Sequence, residues 1–134
     1  MAKIIAYLKF NGNCREAMTF YKECFGGELN LQTIKGSALE GFIPAEEAQK
    51  ILHSSLINDE LSLYASEMEI KSYSPGNTVF LWLNCSSEQE IKTIFTKLAA
   101  GGKIDAELQI AYWGSSFGAI TDKFGMKWYI SSLQ

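Results

Sequence analysis

Phe20-Tyr21-Lys22-Glu23-Cys24-Phe25-Gly26-Gly27-Glu28-Leu29 closes one apolar-periodic run on a glycine pair and opens another. The same punctuation returns at Phe95…Gly101-Gly102-Lys103-Ile104, every matched position 75 residues further on (26 to 101). Glycine takes the left-handed conformation needed just past a helix end, so both pairs read as helix stops. Reading back from the first stop, Cys14 to Phe25 is predicted as a helix, with Ala17, Met18, Phe20, Tyr21, Cys24 and Phe25 on one stripe. Asn13 is its expected N-cap, with Glu16 closing a capping box. Before the second stop, Ser86-Ser87-Glu88-Gln89-Glu90 is a helix start whose acids suit the dipole, and Ile91 to Ala100 continues it. Self-similarity at this spacing points to two copies of one supersecondary unit.

Strand signals surround each helix. Ile4 to Phe10 alternates, with Ala6, Leu8 and Phe10 on one face and Ile5, Tyr7 and Lys9 on the other. Glu28 to Ile34 follows the first helix, Gly36 to Gly41 is a loop, and Pro44 to Leu52 is predicted as a short amphipathic helix. His53 to Ile57 and Leu61 to Ala65 make a hairpin turning at Asn58-Asp59. Glu67 to Asn77 reads as a linker. The second copy has strands at Thr78 to Asn84, Lys103 to Ile110, Phe117 to Thr121 and Met126 to Ser131, its hairpin turning at Asp122 to Gly125. The expected fold is α+β: two tandem β-α-β-β-β modules, about 1–70 and about 77–134, in a single domain of residues 1–134. Each module is read as a small antiparallel sheet with a helix outside. Their pairing would give a concave mixed or antiparallel inner surface.

The bulk numbers exclude several classes. A chain of 134 residues suits one buried domain, and 47% hydrophobic with 20% charged residues is an ordinary globular composition. Twelve Lys+Arg stand against 15 Asp+Glu with no basic block, which argues against nucleic acid as a partner. No 18-residue apolar span or secretory pattern is present, so a cytoplasmic protein without membrane partners is expected. Three cysteines without CxxC or Cys/His spacing read as buried thiols, not as a disulfide framework or zinc site.

Tyr7-Leu8-Lys9-Phe10-Asn11-Gly12-Asn13-Cys14-Arg15-Glu16-Ala17, with Phe20 to Gly27 after it, resembles the opening of PhnB-like proteins. His53 opening a strand, and Trp113-Gly114…Phe117-Gly118…Thr121-Asp122-Lys123-Phe124-Gly125…Trp128, resemble the same branch, also labelled 3-demethylubiquinone methyltransferase-like. It belongs to the vicinal oxygen chelate superfamily, which includes glyoxalase I, extradiol dioxygenases and bleomycin and fosfomycin resistance proteins. The resemblance implies the glyoxalase/bleomycin-resistance fold and a homodimer. It also implies, for metal-using members, ligands on the first and fourth strands of both modules. Those slots fall near Ile5, Tyr64, Thr78 and Tyr129, none an ordinary divalent-metal ligand. No metal site and no cofactor are therefore expected. A methyltransferase is not supported either, because no glycine-rich strand-to-helix loop is present for a nucleotide-like cofactor.

The remaining candidates line the expected inner face. His53 is the sole imidazole. It would act as a general base, a weak lone metal ligand or a hydrogen-bond partner for a ligand, with a structural hydrogen bond as the plain alternative. Trp113 and Phe117 offer a stacking surface, with Gly114 and Gly118 expected to remove bulk beside them; sheet closure explains them equally. Strand parity adds Tyr7, Tyr64, Trp82 and Tyr129, and Gln109 would orient a ligand or be solvated, while Trp128 reads as core. Two functions of different class follow. One is a metal-independent protein binding a small molecule in an aromatic cavity. The other is a superfamily lyase, isomerase or dioxygenase using one divalent metal.

Overall fold

In the computed structural model, which describes residues 2–67 and 73–132, the first half runs β1 (Ala6–Lys9), α1 (Cys14–Phe25), β2 (Glu28–Thr33), β3 (Ile51–Ile57) and β4 (Ser62–Ser66). The second half repeats this order as β5 (Leu81–Cys85), α2 (Glu88–Ala99), β6 (Lys103–Ile110), β7 (Ser116–Thr121) and β8 (Lys127–Ser132). The chain divides between Tyr73 and Ser74 into two units, one per half. The linker expected at 67–77 falls in part, at 68–72, outside the described residues, as does the first module's end near 70.

Each unit holds one four-stranded sheet, ordered β1-β4-β3-β2 and β5-β8-β7-β6. The first strand of each pairs parallel with the last, and the other neighbours are antiparallel. The sheets are thus mixed, not antiparallel as read from the sequence. A parallel pair cannot be joined by a tight turn, and here the helix and two strands intervene between its members.

Period-two alternation then sorts the side chains. In the first unit α1 packs on β2, β3 and β4, covering the face that carries Leu56, Leu63 and Ala65. Its own buried residues are Cys14, Ala17, Met18, Phe20, Tyr21 and Cys24, while Phe25 at the end is only partly covered. In the second unit Ile91, Phe95 and Leu98 of α2 are buried, and α2 packs on β5, β7 and β8. Ile120, Trp128 and Ile130 complete that core. Each such fully buried large side chain is worth roughly 1.5–3 kcal/mol.

The repeated glycine pair has a second cause besides helix termination. A Cβ on Gly27 would stand 2.8 Å from the Ile57 carbonyl oxygen, and one on Gly102 would collide with that of Thr121. Each second glycine therefore lies where the chain leaving the helix passes against the hairpin turn of its own unit.

Two buried carboxylates hold the irregular backbone. Glu67, 8% exposed, accepts from the Cys14 N–H through Oε2 and from the Ile51 N–H through Oε1, both at 2.8 Å. It caps α1 from outside the helix; Asn13 makes no side-chain cap bond, so the expected capping box is absent. Asp122, 3% exposed, accepts from the Phe124 and Met126 N–H groups through Oδ1 and from the Trp128 indole through Oδ2. It fixes the β7–β8 turn. In α2, by contrast, the Ser87 hydroxyl accepts from the Glu90 N–H as the sequence suggests.

Other expectations need correction. The helix read over Pro44 to Leu52 is a single 3-10 turn, Ala45–Glu47. Ile51 is wholly buried and its N–H is taken by Glu67, so Ile51 and Leu52 join β3. The strand read from Thr78 begins at Leu81, leaving Val79 76% exposed, and the strand read from Ile4 begins at Ala6. Gly118 does not clear space beside Phe117: a Cβ there would lie 2.6 Å from Phe95 of α2, so this glycine admits the helix on the opposite face.

Candidate functional site

Residues paired across a sheet share a face, so the registers assemble rows of side chains on the face away from each helix. In the second unit one row is Asn84–Ser131–Phe117–Gln109, and the next is Trp82–Tyr129–Ala119–Ala106. Trp82, Phe117 and Tyr129 have ring centroids 5.3–5.6 Å apart, and Phe80 stacks on Tyr129 at 4.5 Å. Trp113 meets Phe117 edge-on at 5.4 Å. These five rings form one layer, with Trp82 56% and Trp113 41% exposed.

Hydrogen bonds hold the layer still. The Trp82 indole donates to Ser131 Oγ at 2.8 Å, and Ser131 donates to Asn84 Oδ1 at 2.9 Å. The Trp113 indole donates to Ser115 Oγ at 2.6 Å, within the tight turn that brings Ala111 and Ser115 together. The Lys127 ammonium lies 6.0 Å over the Phe80 ring. Gln109 stands exposed at the end of the Phe117 row.

The corresponding rows of the first unit are Lys9–Ser66 with His53–Gln32, and Tyr7–Tyr64–Ser55–Asn30. The Ser54–Ala65 pairing brings His53 alongside Ser66. His53 is exposed, with its ring 5.9 Å from Tyr7 and 5.1 Å from Tyr64. Lys9 lies over Tyr7 at 5.5 Å. The structure thus groups Tyr7, His53 and Tyr64 on one sheet, and Trp82, Gln109, Trp113, Phe117 and Tyr129 on the other. Sequence reasoning passed over Lys9, Ser66 and Asn84, which occupy the same rows; period two, extended one step along each strand, would have found them.

The chemistry available is narrow. Cys14 sits in the first turn of α1, where a thiol pKa ordinarily falls. Burial outweighs this and, helped by the nearby Glu67 charge, pushes the Cys14 thiol up to about 11. Burial likewise lifts Cys85 to about 11. Neither is a nucleophile at neutral pH. Glu88 is held below the usual carboxylate range by hydrogen bonds from the Ser116 and Ser132 hydroxyls, so it is a settled anion and not an acid catalyst.

Among the described residues no three His, Cys, Asp or Glu side chains converge. Ile5 and Thr78 precede β1 and β5, and the residues facing Tyr64 and Tyr129 across those strands are Tyr7 and Trp82. Phenol and indole pairs do not fit the N, O and S donors divalent metal ions select. A depression of about 670 Å³ near Ile34, Lys35, Ile43 and Ala48 carries none of the candidate residues.

The family model described as 3-demethylubiquinone-9 3-methyltransferase matches residues 2–131. The chain belongs to that family, the PhnB-like branch of the vicinal oxygen chelate superfamily. This PhnB-like chain is 28% identical over 137 aligned residues to protein YjdN of Escherichia coli (strain K12), covering 96% of this chain and 93% of that one. Protein PA1353 of Pseudomonas aeruginosa is 34% identical, with a TM-score of 0.85 and coverage of 100% and 99%. The putative 3-demethylubiquinone-9 3-methyltransferase, PhnB protein, of Bacillus cereus shares the fold at 24% identity, TM-score 0.79, covering 98% and 100%. So does a glyoxalase/bleomycin resistance protein/dioxygenase family enzyme of Burkholderia phytofirmans PsJN at 14% identity, TM-score 0.67, covering 96% and 98%. The fold is α+β, of the glyoxalase/bleomycin-resistance type. None of the helices in the described residues is long and apolar enough to cross a membrane.

Proposed function

We propose that this PhnB-like protein binds a planar small molecule against the open aromatic faces of its sheets, without a divalent metal. The observation that carries the reading is the five-ring layer of Phe80, Trp82, Trp113, Phe117 and Tyr129. These rings do not build the core of their unit, since the core Trp128 sits on the opposite face, 2% exposed. Leaving so much ring surface in water is unfavourable unless something covers it. The indole hydrogen bonds to Ser115 and Ser131 fix the ring positions in advance, which lowers the ordering cost of binding. Lys127 beside Phe80 disfavours a cationic ligand, so an uncharged or anionic one is proposed. On the first unit's sheet, considered by itself, Tyr7, His53 and Tyr64 make a smaller ring group with hydrogen-bonding tips.

No methyl transfer is proposed: the glycine pairs follow helices instead of opening them, and so offer no cradle for a nucleotide-like cofactor. A homodimer of two 14.9 kDa chains belongs to the same proposal through kinship, and light scattering reads it directly. The function is tested by fluorescence titration with an uncharged planar probe such as 2-naphthol. Trp82→Ala or Trp113→Ala should weaken binding roughly 10-fold, a typical loss for an exposed stacking ring, with little change in thermal midpoint. Collapse of stability with unchanged affinity would assign both rings to structure and overturn the reading.

A further inference from the structure

The pseudo-equivalence of the two sheets exposes a mismatch at one serine. Ser131 of β8 and Ser66 of β4 occupy corresponding positions, each paired with the first strand of its unit, opposite Asn84 and Lys9 respectively. Ser131 Oγ is partnered in both directions, accepting from the Trp82 indole and donating to Asn84. In the first unit both of those partners are replaced. Tyr7 stands in the place of Trp82 and brings no indole N–H; Lys9 stands in the place of Asn84 and cannot accept. Among the described residues the Ser66 hydroxyl is consequently left without a partner, although Ser66 is 0% exposed.

A buried hydroxyl without a partner is costly, and such groups in native proteins point to something that completes them. What surrounds this one defines the missing group. Lys9 offers an ammonium and, among the described residues, makes no ion pair; His53 comes alongside with a ring N–H. Ser66, Lys9 and His53 are all able to donate, and their row supplies no carboxylate. The absent component is therefore an acceptor, and one carrying negative charge. A single lysine balances a single charge, which suits a carboxylate better than a phosphate monoester of nearly two charges. The Tyr7 and Tyr64 rings in the adjoining row give an apolar wall for the rest of the molecule.

We propose that Lys9, Ser66 and His53 form an oxyanion subsite on the β1–β4–β3 face, and that the ligand is a small planar organic acid held there by its carboxylate. This rests on the reading that the open faces bind a small molecule, and it places a charged subsite on the first unit's own sheet. The test is a ¹⁹F NMR titration with 4-fluorobenzoate and its neutral analogue 4-fluorobenzamide. The acid should bind roughly 10-fold more tightly than the amide, the scale of a charge-assisted hydrogen bond. Lys9→Met should abolish that preference, weakening the acid far more than the amide. Ser66→Ala should weaken the acid several-fold, and the free variant should melt at the same temperature as the parent or higher, since a partnerless buried hydroxyl is removed. A lowered midpoint in Ser66→Ala would show that the hydroxyl has a structural partner and overturn the proposal. Equal affinities for acid and amide, insensitive to Lys9→Met but weakened by Trp82→Ala, would overturn the subsite and leave the aromatic-face reading standing. No saturable response to either compound would overturn both.

Discussion

Replacing Asp122 by alanine is the sharpest test of how the second hairpin is built. The carboxylate is 3% exposed and accepts three hydrogen bonds of 2.9–3.0 Å: from the N–H groups of Phe124 and Met126, and from the indole of Trp128. Trp128 is 2% exposed, so losing its acceptor strands a buried donor, at roughly 1–3 kcal/mol. The two backbone donors lie in a turn that water can reach, and each should add about 1 kcal/mol. Together these give roughly 3–5 kcal/mol, which for a domain of this size lowers the melting temperature by roughly 10–20 °C. Asp122→Asn retains an Oδ1 acceptor for the turn but can turn an amide toward the indole, so roughly 1–3 kcal/mol is expected. The assay is urea unfolding followed by far-UV circular dichroism, which does not depend on Trp128 emission. A loss below about 1 kcal/mol in Asp122→Ala would show that the turn holds without its carboxylate and refute the reasoning.

Glu88 sets an acid limit on the second unit. Its folded pKa lies below the ordinary value of 4.5, so its stabilisation is present above that pH and is lost as pH falls through the lower folded value. The melting difference between the parent and Glu88→Ala should accordingly be present at pH 6 and vanish in strong acid; a pH-independent difference contradicts the hydrogen-bonded anion. Cys14 and Cys85 set an alkaline limit of opposite sign. With thiols raised from 9.0 to about 11, their neutral burial stabilises fully below pH 9 and fades as pH rises towards 11, an effect a Cys14→Ala/Cys85→Ala variant should lack. At pH 8 both thiols should react with Ellman's reagent only as fast as the protein unfolds; prompt labelling would contradict their burial.

Much of this fold could be read from the sequence because its signals are local. The stripe from Ala17 to Cys24 and the stop at Gly26-Gly27 mark α1 to the residue, since periodicity and termination act within a few positions. Alternation also put Tyr7, Tyr64, Trp82 and Tyr129 on the face away from the helices. The misses are all long-range. Glu67 caps α1 from 53 residues away, so a box between Asn13 and Glu16 looked sufficient from sequence. Ile51 and Leu52 fit a helical stripe as well as a strand, and the pairing of β3 with β2 decided between them. Gly118 stood beside Phe117 in the chain, but a strand turns neighbouring residues to opposite faces, so it serves Phe95 instead. Ser66 was silent for a related reason. A lone serine carries no pattern, and its missing partner becomes visible only against Ser131 on the other sheet.

An organic ligand, and not a metal ion, is proposed to occupy the open faces. Native mass spectrometry of protein purified without chelator, with elemental analysis of the same sample, measures this directly. A small organic acid should be released on denaturation, with well under one transition metal per chain. A stoichiometric divalent metal that survives desalting, with no organic mass released, would contradict it.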